Sequence, residues 1–227
     1  MGSTRLPGKV LKPVGQTTVL DHVLTRCRAI AGVDVVCCAV PDSADSDPVA
    51  AEARRIGVEI FRGSDHDVLD RYWQAARALK ADVVMRITSD CPLIDPRVAA
   101  EVLALRIREN VDYACNNMPA TWPLGLDCDA LTFAWLDRAA REAKTPYDRE
   151  HVTPYIRNHP ESRKANFPCP ESGVVQHRWT LDTQADLDFM RVLFPRLPPG
   201  PAGWDWRAPL ALIAADPTLA HVDTSRV

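Results

Sequence analysis

The chain has 227 residues and a mass of 25.2 kDa, which is enough for a buried core without disulfide or metal support. Its net charge of −3 argues against a generally basic surface for nucleic acid or anionic membranes. Apolar runs stay shorter than a membrane span, and seven scattered cysteines without a C-x-x-C pair indicate a reduced, cytoplasmic chain. We therefore expect neither a nucleic-acid nor a membrane partner.

The first half of the chain alternates predicted helices with short apolar strands. Apolar spacing and capping residues predict helices at 18–30, 47–56, 68–80 and 96–109. Continuous apolar runs predict buried strands at 34–40, 58–61, 82–88 and 111–115. Asp47 and Asp95 are the predicted N-caps of the second and fourth helices. Strands that alternate with helices across short turns predict βαβ units, and hence an α/β fold with a mostly parallel sheet.

The pattern is looser after residue 115. It predicts strands at 126–131 and 174–181 and helices at 132–143, 148–158 and 183–194, the second of them interrupted by Pro154. Thr183 and Asp186 have the spacing of a capping box. A Pro-rich run then leads into a C-terminal segment with one short helix. We predict a main domain over 1–194 and a linker with a C-terminal appendage over 195–227.

The N-terminal run MGSTRLPGK concentrates glycines and cations. Glycines let a backbone approach a ligand closely, and successive N–H groups can bind an anion. Arg5 adds a planar fork for phosphate oxygens, and Lys9 adds a point charge. Such a run suits a polyphosphate, although it is not a P-loop, and composition alone favours a flexible basic terminus.

Two aspartates follow predicted strands. Asp90 comes directly after the strand at 82–88, and Asp182 ends the strand at 174–181. Ligands of open α/β sheets bind beyond the carboxyl ends of strands, and two carboxylates there suit a Mg²⁺ completed by substrate phosphates. Each aspartate has a structural alternative, because Asp90 can form a turn and Asp182 can cap the next helix.

Three weaker signals remain. Asp127 and Asp129 form a D-x-D sequence that could share a divalent cation, but three residues match often by chance and a solvated strand edge is favoured. His151 lies beside Glu150 on a predicted helix, where a surface histidine is an equal interpretation. Cys91 has no identifiable base beside it, as nucleophilic catalysis would need.

Six runs in order resemble the cytidylyltransferases that activate acidic sugars, and most closely their spore-coat polysaccharide biosynthesis branch. Relatives of that branch include the acylneuraminate and 3-deoxy-manno-octulosonate cytidylyltransferases. The runs are MGSTRLPGKVL at 1–11, FRGSDHDVLDRY at 61–72, RITSDCPLIDP at 86–96, YACNNMPATWPLGLD at 113–127, REHVTPYIRNHP at 149–160 and RWTLDTQADL at 178–187. The resemblance covers most of 1–194 and implies a three-layer, Rossmann-like nucleotidyltransferase sheet.

The resemblance also implies roles for the matching positions. Nucleotide binding would use Gly2, Ser3, Arg5, Gly8, Lys9, Asp70 and Arg71. Mg²⁺ would be held by Asp90 and Asp182, and catalysis would depend on Arg5, Lys9 and Asp90. The sugar side would use Asn116, Asn117, Gly125, Asp127, Glu150, His151 and Arg178. The family further suggests a homodimer.

The chain departs from the family pattern at its start. Family members carry a hydrophobic strand and a polar turn ending in Arg before the Met-Gly-Ser run, whereas this sequence begins at Met1. We expect a slot in the sheet flanked by unpaired edges, with a cost of ~1–3 kcal/mol for each buried unpaired amide. A start assigned too late is favoured over a damaged copy. The chain as written is expected to fold poorly or to be inactive.

The predicted reaction is transfer of CMP from CTP to a sugar or sugar acid, with release of pyrophosphate, in surface polysaccharide or glycan biosynthesis. One alternative is a nucleotide-sugar-dependent glycosyltransferase of GT-A type that uses Asp127 and Asp129. Another is a non-catalytic nucleotide-binding homologue. Arg5 and Lys9 fit a triphosphate better than a diphosphate sugar, which favours the cytidylyl transfer.

Overall fold

The computed structural model describes residues 5–201 and 203–219, so the predicted ligand residues Gly2 and Ser3 lie outside it. Its α-helices are α1 (Val19–Arg28), α2 (Asp47–Ile56), α3 (Val68–Ala78), α4 (Pro96–Arg108), α5 (Phe133–Glu142), α6 (Pro146–His151), α7 (Pro154–Asn158), α8 (Gln184–Leu193) and α9 (Arg207–Ala215). Its strands are β1 (Pro13–Val14), β2 (Thr17–Thr18), β3 (Cys37–Pro41), β4 (Glu59–Gly63), β5 (Val83–Arg86), β6 (Tyr113–Cys115), β7 (Asp129–Thr132) and β8 (Lys164–Asn166). None of the described helices combines the length and apolarity needed to cross a membrane.

Helix boundaries follow local capping chemistry. Asp95 caps α4 as predicted, because its carboxylate accepts the backbone N–H of Arg97 at 2.7 Å. The predicted capping box of α8 is confirmed, with Thr183 and Asp186 exchanging side-chain and backbone hydrogen bonds. The N-cap predicted for Asp47 is wrong, because Ser46 is the N-cap and Asp47 is already the first residue of α2, where its carboxylate accepts from Arg62.

The sheet is mixed but mostly parallel. Strands β5, β7, β6 and β8 are hydrogen-bonded in that order, and only β7 runs against its neighbours. Strands β3 and β4 form a separate parallel pair. Alternate residues of β6 enter different cores, because Ala114 packs with α1 and α4 whereas Tyr113 and Cys115 pack with α3 and α5. Helices therefore cover both faces of the sheet, and the predicted three-layer α/β fold is confirmed.

A gap separates the two groups of strands. Among the described residues, β3 pairs with β4 and β5 pairs with β7, and neither has a ladder partner on its other edge. A cavity of about 800 Å³ fills the space between them and is lined by apolar residues of β3, β5, α1 and α4. The slot with unpaired flanking edges that the sequence predicts is therefore present in the sheet.

The strand predicted at 174–181 is wrong. This segment has a turn at 175–176 and only isolated bridge residues at His177 and Arg178, with Arg178 paired in parallel to Leu124. The interruption predicted within 148–158 is confirmed, since α6 ends at His151 and Pro154 starts α7. The hairpin of β1 and β2 and the short strand β8 were not predicted.

The C-terminal segment packs on the main core. Trp206 is buried, lies edge-on to Trp122 with ring centroids 5.0 Å apart, and donates its backbone N–H to Asp95 at 2.6 Å. The Arg26 guanidinium stacks over the Trp204 ring at 3.6 Å from its centroid. These contacts define the docking site of the two tryptophans, which the sequence does not show. The domain boundary at residue 194 stays a prediction.

His22 gives the fold a pH dependence below neutrality. Its Nε2–H donates to the carbonyl oxygen of Val14 at 2.9 Å, its ring lies 4.2 Å from that of Phe194, and burial lowers its pKa below the ordinary 6.5. Below pH 6.5 the unfolded chain therefore binds a proton that the folded chain resists, and the free energy of unfolding falls as pH decreases. We expect His22→Gln to make urea-unfolding free energy less dependent on pH between 7 and 5. The exposed control His151→Gln should keep the pH dependence of the wild-type chain. If His22→Gln also keeps it, this assignment is contradicted.

Candidate active site

Two carboxylates converge on one ammonium group at the carboxyl end of the sheet. The Nζ of Lys9 lies 2.7 Å from Oδ2 of Asp90 and 2.9 Å from Oδ1 of Asp182. Arg5 approaches the same Asp182 oxygen at 3.3 Å from a much more exposed position. Residues from three distant parts of the sequence therefore meet in one charged cluster, which we call the Lys9 cluster (Arg5, Lys9, Asp90 and Asp182).

Short loops hold the members of the Lys9 cluster in place. Gly8 adopts a left-handed conformation with φ 64° and starts a 3-10 turn whose first residue is Lys9. Asp90 follows β5, as predicted. Asp182 does not end a strand as predicted, because residues 174–181 before it form a turn and irregular backbone with isolated bridges. The backbone N–H of Leu181 donates to the carbonyl oxygen of Asp90 at 2.8 Å, and this bond ties the two loops together.

Arg178 and Asp186 brace the carboxylate of Asp182. Arg178 donates to Oδ2 of Asp182 at 2.8 Å and to Oδ1 of Asp186 at 3.0 Å. The buried Asp186 in turn accepts the backbone N–H groups of Asp182 and Thr183, both at 2.7 Å. Sequence reasoning assigned Asp186 only to helix capping, so this brace was missed. The sequence signal for this brace was the position of two carboxylates, Asp182 and Asp186, four and eight residues after Arg178.

The electrostatics of the Lys9 cluster favour the fully charged state. Burial alone would lower the pKa of Lys9, but the charges and hydrogen bonds of Asp90 and Asp182 outweigh it and raise the pKa above 10.5. Burial alone would raise the pKa of Asp90, but the Lys9 ammonium outweighs it and holds that pKa below 3.8. The ion pair is therefore intact across the physiological pH range.

The cluster can hold a divalent cation only with help from a ligand. The Asp90 and Asp182 carboxylates point at a common cation position, since one Nζ contacts both. Throughout residues 5–201 and 203–219, no group of three or more His, Cys, Asp or Glu side chains is arranged for a metal. Two carboxylates plus phosphate oxygens and water match the way in which Mg²⁺ is commonly held against nucleotides.

The predicted nucleotide residues lie partly on the central cavity. Gly8, Lys9 and Arg71 line the same 800 Å³ cavity, together with Ser89, which lies in the loop after β5. Arg71 is buried on α3, donates to the carbonyl oxygen of Ser64, and has a pKa lowered by that burial. Asp70 lies one residue earlier on α3, where its carboxylate accepts from Gln74 at 2.6 Å.

The predicted sugar-side residues divide into two groups. The first group lies near Arg178, because Leu124 bridges to Arg178 and donates its N–H to the carbonyl oxygen of His177 at 3.0 Å. Within it, the buried Asn116 bonds to the backbone of Leu126 and Cys128 at 2.7 and 3.0 Å, which holds the turn that carries Gly125 and Asp127. The members of this group are Asn116, Gly125, Asp127 and Arg178. Asn117 follows Asn116 in sequence, but its side chain accepts from Arg157 of α7 at 2.9 Å.

The second group, Glu150 and His151, is exposed on α6. The His151 ring lies 4.4 Å from that of Tyr147, which is also exposed. The next residue, Val152, is buried with φ 71°, a strained conformation for a β-branched side chain. Among the described residues, no hydrogen bond joins Glu150 or His151 to the first group. Their role therefore stays a prediction.

The D-x-D sequence does not form one cation site. Asp129 is buried in β7, where it accepts the Tyr113 hydroxyl and pairs with Arg86 at 3.4 Å. Asp127 precedes β7, and its Oδ2 accepts the backbone N–H of Gly125 at 3.2 Å. This geometry removes the support for the glycosyltransferase alternative. Cys91 is equally unsuited to nucleophilic attack, because burial and the Asp90 charge raise its pKa well above 9.0.

Comparison with known proteins identifies the family. The cytidylyltransferase family matches residues 1–193. The chain belongs to the cytidylyltransferase family. The spore coat polysaccharide biosynthesis protein SpsF of Bacillus subtilis (strain 168) is 35% identical over 204 residues, which are 86% of this chain and 83% of that protein. This cytidylyltransferase is accordingly a nucleotidyltransferase, and the resemblance stated from its six sequence runs is confirmed.

Solved structures agree with this assignment. A cytidylyltransferase from Leptospira borgpetersenii serovar Hardjo-bovis (strain JB197) is 28% identical, with a TM-score of 0.91, and covers 99% of this chain and 94% of its own. That similarity extends well beyond residue 194. CMP:2-keto-3-deoxy-manno-octonic acid synthetase, solved with CTP, has a TM-score of 0.65 at 20% identity, over 86% of this chain and 94% of its own, and supports the fold alone.

Proposed function

We propose that this cytidylyltransferase transfers CMP from CTP to a sugar acid, with release of pyrophosphate, in the biosynthesis of a surface polysaccharide or glycan. The observation that carries the proposal is the convergence of Asp90 and Asp182 on Lys9 beside Arg5. Two carboxylates and two cations at one end of the sheet suit a triphosphate with its counter-cation. Similarity to SpsF supports the polysaccharide context, and membership of the cytidylyltransferase family supports the nucleotide.

The chain's own residues would orient and neutralise the triphosphate. A sugar hydroxyl oxygen attacks the α-phosphorus of CTP and gives up its proton to solvent. The bond from that phosphorus to the oxygen bridging to the β-phosphate breaks, and pyrophosphate leaves with that oxygen. Lys9 and Arg5 would hold the leaving pyrophosphate in line and offset the negative charge that it gains. Arg178 and Asp186 would act as positioning residues, because they fix the orientation of Asp182.

A divalent cation would be held by Asp90 and Asp182. A structural neighbour, Rv0371C of Mycobacterium tuberculosis H37Rv, was solved with manganese at 16% identity, which supports a divalent ion without fixing it as Mg²⁺. Such an ion, when bound, neutralises phosphate charge and polarises the phosphoryl oxygens. We propose Mg²⁺ as the ion.

We also propose a cytoplasmic setting, because all seven cysteines are free thiols. The resemblance to the family further supports a homodimer.

Pyrophosphate release tests this function directly. We expect release with CTP and Mg²⁺ only when a sugar acid is added, with a panel that includes 3-deoxy-manno-octulosonate and an acylneuraminate. Such release would refute the expectation, stated from the sequence, that the chain as written is inactive. Mass spectrometry should then detect the CMP-sugar, and neutral hexoses and the other nucleoside triphosphates serve as controls. Sugar transfer from a nucleotide sugar without pyrophosphate release, or CTP binding without any product, would overturn the proposal.

A further inference from the structure

The position of Lys9 suggests a role before any substrate binds. Its ammonium touches one oxygen of each carboxylate in the Lys9 cluster, at 2.7 and 2.9 Å, and its side chain is only 16% exposed. We propose that Lys9 is a built-in counter-cation: in the free protein its ammonium occupies the position between Asp90 and Asp182, and a divalent cation must displace it. This inference rests on the proposed function, since it concerns the same carboxylates and the same triphosphate.

Competition follows from the sharing of ligand atoms. Oδ2 of Asp90 and Oδ1 of Asp182 are the atoms that contact Nζ, so a metal bound by both carboxylates would share these atoms with the ammonium or replace it. The other oxygen of Asp182 already accepts from Arg178 at 2.8 Å. Without a cation between them, two partly buried carboxylates would repel each other, and Lys9 removes that cost in the free protein.

Displacement of Lys9 couples the metal to the nucleotide. A metal that binds alone leaves a largely buried ammonium without its two anionic partners, which weakens the metal's apparent affinity. A triphosphate that arrives with the metal gives the ammonium new anionic partners. Each ligand should therefore strengthen the binding of the other, and this coupling must be reciprocal. Lys9 would thus disfavour a metal-loaded site that holds no nucleotide.

Binding of Mn²⁺ alone tests the inference without any turnover. Electron paramagnetic resonance of free Mn²⁺ gives its affinity for the wild-type chain, Lys9→Met and Arg5→Met in the absence of nucleotide. Both variants lose one positive charge near Asp182, but only Lys9 lies between the carboxylates. We expect Lys9→Met to bind Mn²⁺ about tenfold more tightly, as for loss of one charge-assisted contact, and Arg5→Met to change affinity by about twofold or less.

A second measurement uses the unmodified chain, in case Lys9→Met folds poorly. Limited acetylation read by mass spectrometry should label Lys9 slowly, and Mn²⁺ should speed its labelling while leaving the exposed Lys144 unchanged. Equal gains in Mn²⁺ affinity for the two variants, or Lys9 labelling that Mn²⁺ does not change, would overturn the inference. If pyrophosphate release succeeds while these tests fail, only the counter-cation role is lost. If they succeed without any pyrophosphate release, only the proposed function is lost.

Discussion

Replacing Asp90 by Asn is expected to reduce pyrophosphate release by roughly 10²-fold, the scale seen when one preorganised electrostatic group is removed from an active site. The substitution keeps the size of the side chain but removes one of the two negative charges that face Lys9. It leaves the backbone carbonyl of residue 90, which accepts from Leu181 at 2.8 Å, unchanged. The loops should therefore stay in place, and kcat should fall while the fold is kept.

Steady-state pyrophosphate assays with CTP and the active sugar acid give kcat, and circular dichroism with thermal unfolding checks the fold. Asp188→Asn is the matched control, because Asp188 lies exposed on α8, where its carboxylate accepts from Gln184 at 2.8 Å. The control should keep the wild-type rate. A near-wild-type rate for Asp90→Asn would remove Asp90 from the mechanism.

The helices of the first half were predictable because their signals are local. Asp95 precedes Pro96 and caps α4, and Gly57 ends α2 with φ 79°, so each boundary depends on residues adjacent in sequence. The same holds for the capping box of α8. These caps are hydrogen bonds between residues two to four positions apart, and such short-range chemistry can be identified in a single sequence.

The segment 174–181 shows where local patterns mislead. Its apolar residues predict a strand, but its backbone bonds go to a turn and a loop. Trp179 donates to Leu124 at 2.7 Å, and Leu181 donates to Asp90. These partners lie more than fifty residues away in sequence, and nothing in the segment itself identifies them. The prediction of Asp182 as a ligand depends on a strand that ends at this residue, and that strand is absent. The structure nevertheless places Asp182 opposite Asp90.

The Lys9 cluster was predictable in composition but not in its pairing. Glycines and cations at the N-terminus indicate an anion site, and aspartates after strands indicate a cation site. The sequence separations from Lys9 to Asp90 and Asp182 are 81 and 173 residues, so their direct contact depends on the whole fold. The resemblance already implies one catalytic site for Arg5, Lys9 and Asp90, but the direct ion pairs of Lys9 with Asp90 and Asp182 are seen only in the structure.

Replacing Gly125 by Ala is expected to lower the free energy of unfolding by about 3–5 kcal/mol, from an unfavourable backbone conformation together with a steric overlap. Gly125 has φ +110°, and a Cβ built on it would lie 2.6 Å from the carbonyl oxygen of Trp179. That oxygen belongs to a backbone held by the bond from Trp179 to Leu124, so it cannot move aside cheaply. Urea unfolding followed by tryptophan fluorescence measures the loss.

Gly173→Ala separates the two contributions. Gly173 also has a positive φ, +76°, but a Cβ there would meet nothing within 4 Å. Gly173→Ala should therefore lower the free energy of unfolding by about 1–2 kcal/mol, the conformational penalty alone. The excess for Gly125→Ala then measures the close approach of the turn at residue 125 to residues 177–181, which lead directly into Asp182. Equal losses for the two variants would mean that this approach is not tight, and that the turn does not help to position Asp182.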